Sequence, residues 1–262
     1  MFGKTGFLSE TDLREAPSGI DSELWKLATA PNEWALKLIS EIRIHFECQP
    51  EILGTMYFLR VFSDYQAMLL VGKKGMVPQA TIMLRTELEA LFGLAAIAKE
   101  PSFWKELYGH EPHQKKRVLN KLKKFRRNDT DDGSQLSNID CKLKECSEEI
   151  EQQNARPLTT EQIAEKAGLQ DLYNTVYPWC SLEVHVSPRT LETAYIDNKE
   201  QGEILELKFG PDYVRVQIVV ATGADCLLLA IVSLSEIFKV DVNEKLSIYR
   251  SDLQQFLNSG HE

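Results

Sequence analysis

Cysteine is scarce in this chain of 262 residues, and the five present (Cys48, Cys141, Cys146, Cys180 and Cys226) are scattered, with no C-x-x-C pair. An odd, unpaired set argues against a disulfide framework or a structural zinc site and reads as reduced thiols in a cytoplasmic protein. Histidine is equally sparse, at five residues. The one close pair, in His110-Glu111-Pro112-His113, has a proline between its members and no ligand cluster after it. That stretch reads as a solvent-exposed turn, and no metal site is expected. There is no Walker loop and no G-x-G-x-x-G fingerprint, so those phosphate cradles are excluded and no cofactor is expected. The nucleophile elbow of a triad hydrolase is missing as well. Met1 to Glu10 lacks the apolar run that a signal peptide requires.

What is present is close to the globular average: 43% hydrophobic and 26% charged residues, with a formal net charge of -9. This composition excludes collagen-like, low-complexity and disordered chains, and the length suits one large domain. The acidic balance argues against coating nucleic acid over the whole surface, while leaving room for a local basic patch. Val214 to Val240 is the one run long enough for a membrane span, but Asp225 near its middle would cost about 2.5–3.5 kcal/mol in a bilayer. A buried core helix, and no membrane, is the expectation.

Periodicity points to an all-α fold: a single helical domain over residues 1–262, of about eight helices, with one small β-hairpin near residues 192–209. Trp25 to Phe46 carries a first apolar stripe, interrupted near Pro31. Pro50 and Pro78 open two long helices, the second apolar on nearly every side and therefore central. Phe103 to Phe125 is amphipathic, with breaks at Gly109 and Pro112. Residues 128–136 read as a mobile acidic loop. A charged helix from Ser137 to Gln153 follows, then a short one capped by Thr160 and stopped by Gly168. Leu169 to Val186 is helical up to Ser187-Pro188. The long core helix and a last amphipathic helix complete the chain.

Three polar features stand out. Arg85 and Glu89 lie four residues apart on one face of the central helix. They are either a plain ion pair or part of a site, because their apolar surroundings place the charges inside or in a cleft. Tyr177, Ser181 and His185 follow at i, i+4 and i+8. His185, in a last helical turn, is either a capping residue or a group poised for acid–base work or anion contact. From Lys115 to Arg127 there are eight basic residues and no acid; without them the net charge would be -17. Lys115, Lys116, Lys121, Lys123, Lys124 and Arg126 are the candidate contacts for RNA, an anionic ligand or an acidic protein surface, the alternative being a solvated face.

On Arg85-x-x-x-Glu89-Ala90-Leu91-Phe92, on Pro101-x-Phe103 with the basic helix after it, and on Ser181-x-x-x-His185 following Tyr177, the chain resembles the bacterial domain-of-unknown-function family 5677 over about residues 50 to 240. The resemblance implies a shared helical fold in which Arg85, Glu89, Tyr177, Ser181 and His185 are the marking polar positions, and it implies no reaction. The helical HEPN ribonucleases pair an Arg with a His a turn or so downstream; no Arg here has that partner.

Three functional readings follow. The first is metal-independent, ribonuclease-like cleavage of a phosphodiester, with His185 as acid–base group and Arg85 steadying the anion. The second is a binding or sensing module for an anionic ligand in the same cleft. The third is an interaction protein whose polar residues lock its helices. The first two require the Arg85–Glu89 and Tyr177–Ser181–His185 stripes to face each other, which is expected because buried polar groups need partners.

Overall fold

The computed structural model describes residues 22–126, 133–200, 203–207 and 210–259. Helix α1 (Ser22–Glu41) leads to α2 (Gln49–Gly72) and α3 (Val77–Lys99), each of the latter two opening with a proline at its first turn. Proline fits there because its missing N–H would have been unpaired anyway. After a 3-10 turn at Pro101–Phe103 come α4 (Trp104–Arg126), α5 (Gly133–Gln153), α6 (Thr160–Ala167), α7 (Gln170–Val184) and α8 (Pro188–Tyr195). Strands β1 (Ile196–Glu200) and β2 (Glu203–Leu207) pair antiparallel before α9 (Tyr213–Phe238) and α10 (Asn243–Ser259).

The core is built by α2, α3 and α9, which pack against one another along most of their lengths. Phe58, Tyr65 and Met68 of α2, Leu84, Leu88, Leu91 and Leu94 of α3, and Val219, Ala224, Leu227 and Leu228 of α9 are fully buried there. Helix α9 is the one described helix long and apolar enough to cross a membrane, and here its apolar stretch is spent on this core. Helix α1 lies on α9 and α2, with the Tyr65 hydroxyl donating to the Ala28 carbonyl, while α6 and α7 cover α3. Helices α4 and α5 form a helical hairpin; α5 packs on α4 and on little else among the described residues.

The expected architecture needs correction in several places. The described residues form ten α-helices, not about eight. Two helices run through prolines expected to interrupt them, and a further one is opened by a cap that the pattern hid. Pro31 and Pro112 sit inside α1 and α4 without ending them, both buried by neighbouring helices whose packing outweighs the lost bond. Ser187 caps a helix that periodicity does not show, its side chain accepting from the Thr190 N–H with Pro188 at the first position. Residues 193–195 are therefore helical, and the hairpin expected near 192–209 is reduced to two short strands of irregular register that add no layer to the fold. The acidic loop expected at 128–136 is helical from Gly133 onward, and its residues 128–132 lie outside the described ones. The short helix is capped by Thr159 rather than Thr160, in a capping box with Gln162.

Candidate functional site

Arg85 and Glu89 occupy successive turns of α3, and their i,i+4 spacing brings Nη2 to 3.1 Å from Oε1. Helix α7 crosses α3 at this level and delivers two of its own polar groups. Arg85 Nη2 donates to the Tyr177 hydroxyl at 2.9 Å, and Nε donates to Ser181 Oγ at 3.2 Å. The Tyr177 hydroxyl in turn donates to Glu89 Oε1 at 2.7 Å, and Ser181 Oγ donates to the Tyr177 carbonyl at 2.9 Å. Each hydroxyl thus accepts from the guanidinium and passes its own proton to an oxygen, so no group in the ring competes with another for a donor. The guanidinium also lies 5.1 Å from the Tyr177 ring centre, and Tyr173 stacks on that ring at 5.2 Å. Burial, reinforced by the Glu89 carboxylate, pushes the Tyr177 hydroxyl above its ordinary value and keeps it protonated. The Arg85 and Glu89 side chains remain 23% and 39% exposed, so water reaches the network.

His185 stands apart from this network. Helix α7 ends at Val184, and His185 is its C-cap with extended backbone (φ -89°, ψ 93°), because the chain is already turning toward the Ser187 cap of α8. Its i+8 spacing from Tyr177 therefore no longer places it in line. Its side chain is exposed and makes no hydrogen bond among the described residues.

Tyr177 has a second role: with Tyr173 it forms one wall of a groove of about 710 Å³. The opposite wall is one face of α4, with His110, His113, Gln114, Arg117, Val118 and Lys121, and the floor is the segment Pro157–Thr160 leading into α6. In a chain of net charge -9, no Asp or Glu among the described residues lines this groove. Of the expected basic contacts, Lys121 faces the groove and Lys115 and Lys124 are exposed on α4. Lys116, Lys123 and Arg126 are half-buried, and Lys123 is paired with Asp140 of α5. Arg127 lies outside the described residues.

The histidines expected in an exposed turn are instead half-buried on the groove face of α4. His110 Nδ1 accepts from the Leu158 N–H at 2.9 Å, and a His113 Nε2–H donates to the Ala155 carbonyl at 3.0 Å. Burial, then the nearby His113, lowers the His110 pKa and favours the neutral ring that can accept. These bonds moor the floor of the groove to α4. Their i,i+3 spacing was visible in sequence, but the proline between them masked the helix that gives it meaning.

Sequence reasoning also passed over Glu87, on the inward side of α3. It is fully buried, and neither carboxylate oxygen has a partner among the described residues. Burial, with a lesser contribution from Asp64, raises its pKa well above the ordinary value. No group of three or more His, Cys, Asp or Glu able to hold a metal occurs among the described residues.

A helical assembly whose central arginine and glutamate clasp a tyrosine at the edge of a carboxylate-free groove is the class of protein this geometry defines. The chain belongs to the family of unknown function DUF5677, whose model matches residues 51–204. That span carries Arg85, Glu89, Tyr177, Ser181, His185 and the whole groove, and it stops short of the residue 240 to which the resemblance was drawn. Neither a curated protein nor a solved structure matches the chain significantly.

Proposed function

We propose that this protein is a binding or sensing module for an anionic ligand, which it takes in the groove between α4 and α7. The observation that carries the reading is the lining: Arg117 and Lys121 face Thr159, Thr160 and the Tyr177 wall with no carboxylate among them. A concave site of one sign concentrates field, and the N-terminus of α6 opens onto the same space with its partial positive charge. The Arg85–Glu89–Tyr177–Ser181 network is the scaffold of this site rather than its charge. Glu89 neutralises Arg85 locally, and both fix the orientation of Tyr177. Titration calorimetry with sodium tripolyphosphate at low salt tests this: binding is expected, weakened by added salt and lost in an Arg117→Glu, Lys121→Glu double variant. Heat of binding unchanged in that variant would overturn the assignment.

Phosphodiester cleavage is the second reading, supported by two imidazoles on the groove wall, His110 and His113. Binding is favoured over it because both rings are engaged with Leu158 and Ala155, and His185 does not line the groove.

A further inference from the structure

We infer that the ligand of this groove is a single-stranded oligonucleotide, read through alternating phosphate and base contacts along α4; the inference rests on the anion-binding reading. Residues 110, 114, 117, 118, 121 and 125 recur at three- and four-residue spacing and therefore share one face of the helix. The face opposite is occupied by α5, against which Pro112, Lys116, Leu119 and Lys123 are buried or half-buried. Among the described residues no helix packs directly upon the groove side. It runs for about 22 Å from His110 to Phe125 at the helical rise.

Two kinds of group alternate on that side. Arg117, Lys121 and Lys124 supply cations a turn apart. Val118 and Phe125 lie between and beyond them, 64% and 69% exposed, with Leu122 at the margin, 42% exposed. Exposed Phe on a helix that carries eight basic residues is poorly explained by solvation alone, since a purely solvated face gains nothing from it. A free phosphate has no use for the apolar positions, and a flat lipid surface does not reach cations that face a second wall across a groove. A single strand offers both chemistries at a repeating interval: phosphates for Arg and Lys, and unstacked bases with flat faces for aromatic rings. On the far wall the Arg85, Tyr177 and Tyr173 stack presents a second aromatic surface, supported by Phe92, which lies edge-on to Tyr173 and tilted against Tyr177. A rigid stack loses little entropy when a base adds to it.

The test compares a short fluorescent single-stranded oligonucleotide of mixed sequence with its duplex, with sodium polyphosphate of matched charge and with anionic phosphatidylserine vesicles, using the full chain. The single strand is expected to bind most tightly. Phe125→Ser, at an exposed position where folding is little affected, is expected to weaken the oligonucleotide about tenfold and to leave polyphosphate unchanged. Lys121→Glu is expected to weaken both and to reduce the dependence on log salt concentration by about one for each lost phosphate contact. If polyphosphate binds as tightly as the single strand and Phe125→Ser alters neither, base stacking is refuted while anion binding stands. Duplex or vesicle binding tighter than the single strand also overturns the inference. If nothing anionic binds, both readings fall.

Discussion

Replacing Glu87 by glutamine is expected to flatten the loss of stability as pH rises above the ordinary carboxyl range. The side chain is 0% exposed and both of its carboxylate oxygens lack partners among the described residues, so the folded protein holds it as the neutral acid. In the unfolded chain the same carboxyl ionises near its ordinary value of 4.5. Above that pH the unfolded state has released a proton that the folded state keeps, so rising pH favours unfolding until the folded pKa is reached. The slope from one such group is about 1.4 kcal/mol per pH unit while the folded carboxyl keeps its proton, hence at most about 2.7 kcal/mol between about pH 5.5 and 7.5. Glutamine matches the shape and does not titrate. Its own amide adds a constant cost of burial, which cancels when the two pH values are compared. Thermal unfolding of both proteins at both pH values checks this. The wild type should lose more than Glu87→Gln over that interval, by up to about 5–10 °C. Parallel shifts in the two proteins would show that Glu87 is ionised in the folded state, and the reasoning would fail.

Tyr177→Phe keeps the ring stack but removes the hydroxyl that joins Arg85 to Glu89; it should cost about 1 kcal/mol in urea unfolding. Unchanged stability would show that water replaces the hydroxyl freely. Gly75 has φ of +68°, and a Cβ there would lie 2.9 Å from the backbone of both Pro211 and Asp212. Gly75→Ala should therefore destabilise by about 1–3 kcal/mol, and an unfolding midpoint equal to wild type would contradict the close approach of the α2–α3 turn to the start of α9. Thr159→Ala removes the cap of α6 at the groove floor and should cost about 1 kcal/mol, with helix loss confined to that segment by hydrogen exchange.

The central helices were legible because their signals are redundant. Pro50 and Pro78 mark starts, and the apolar residues of α3 and α9 lie on too many sides for any place but the core. What was not legible depends on tertiary contact. Pro31 and Pro112 read as breaks from local rules, yet burial of Leu24, Ala28 and Ala35 in α1 and of Leu107 in α4 holds each helix across its proline. Helix α8 shows the opposite failure, in which a short helix rests on one cap. Ser187 and Pro188 were in view, but residues 193–195 were drawn into the hairpin expected around them, and that expectation is weaker than a satisfied N-cap followed by proline.

For the site, periodicity places Arg85, Glu89, Tyr177 and Ser181 on faces of two helices, and the cost of desolvation supplies a reason for those faces to meet. The same rule misplaced two groups. His185 continues the spacing of Tyr177 and Ser181 only if the helix continues, and α7 stops one residue before it. Glu87 breaks the rule outright, since it lies between Arg85 and Glu89 in sequence yet points to the opposite side of α3, into the core. A pattern of charges at positions 85, 87 and 89 cannot belong to one helical face, because residues two apart are about 200° apart around the axis. One of the three had to be buried or exposed alone. The hydrophobic neighbours of Glu87 at 84, 88 and 91 decide which one, and the consequence is a neutral acid rather than a second ion pair. Arg85 is thereby left with Glu89 as its carboxylate on α3, and that local neutrality moves the positive charge available to a ligand away from the central helix and onto Arg117 and Lys121 of α4.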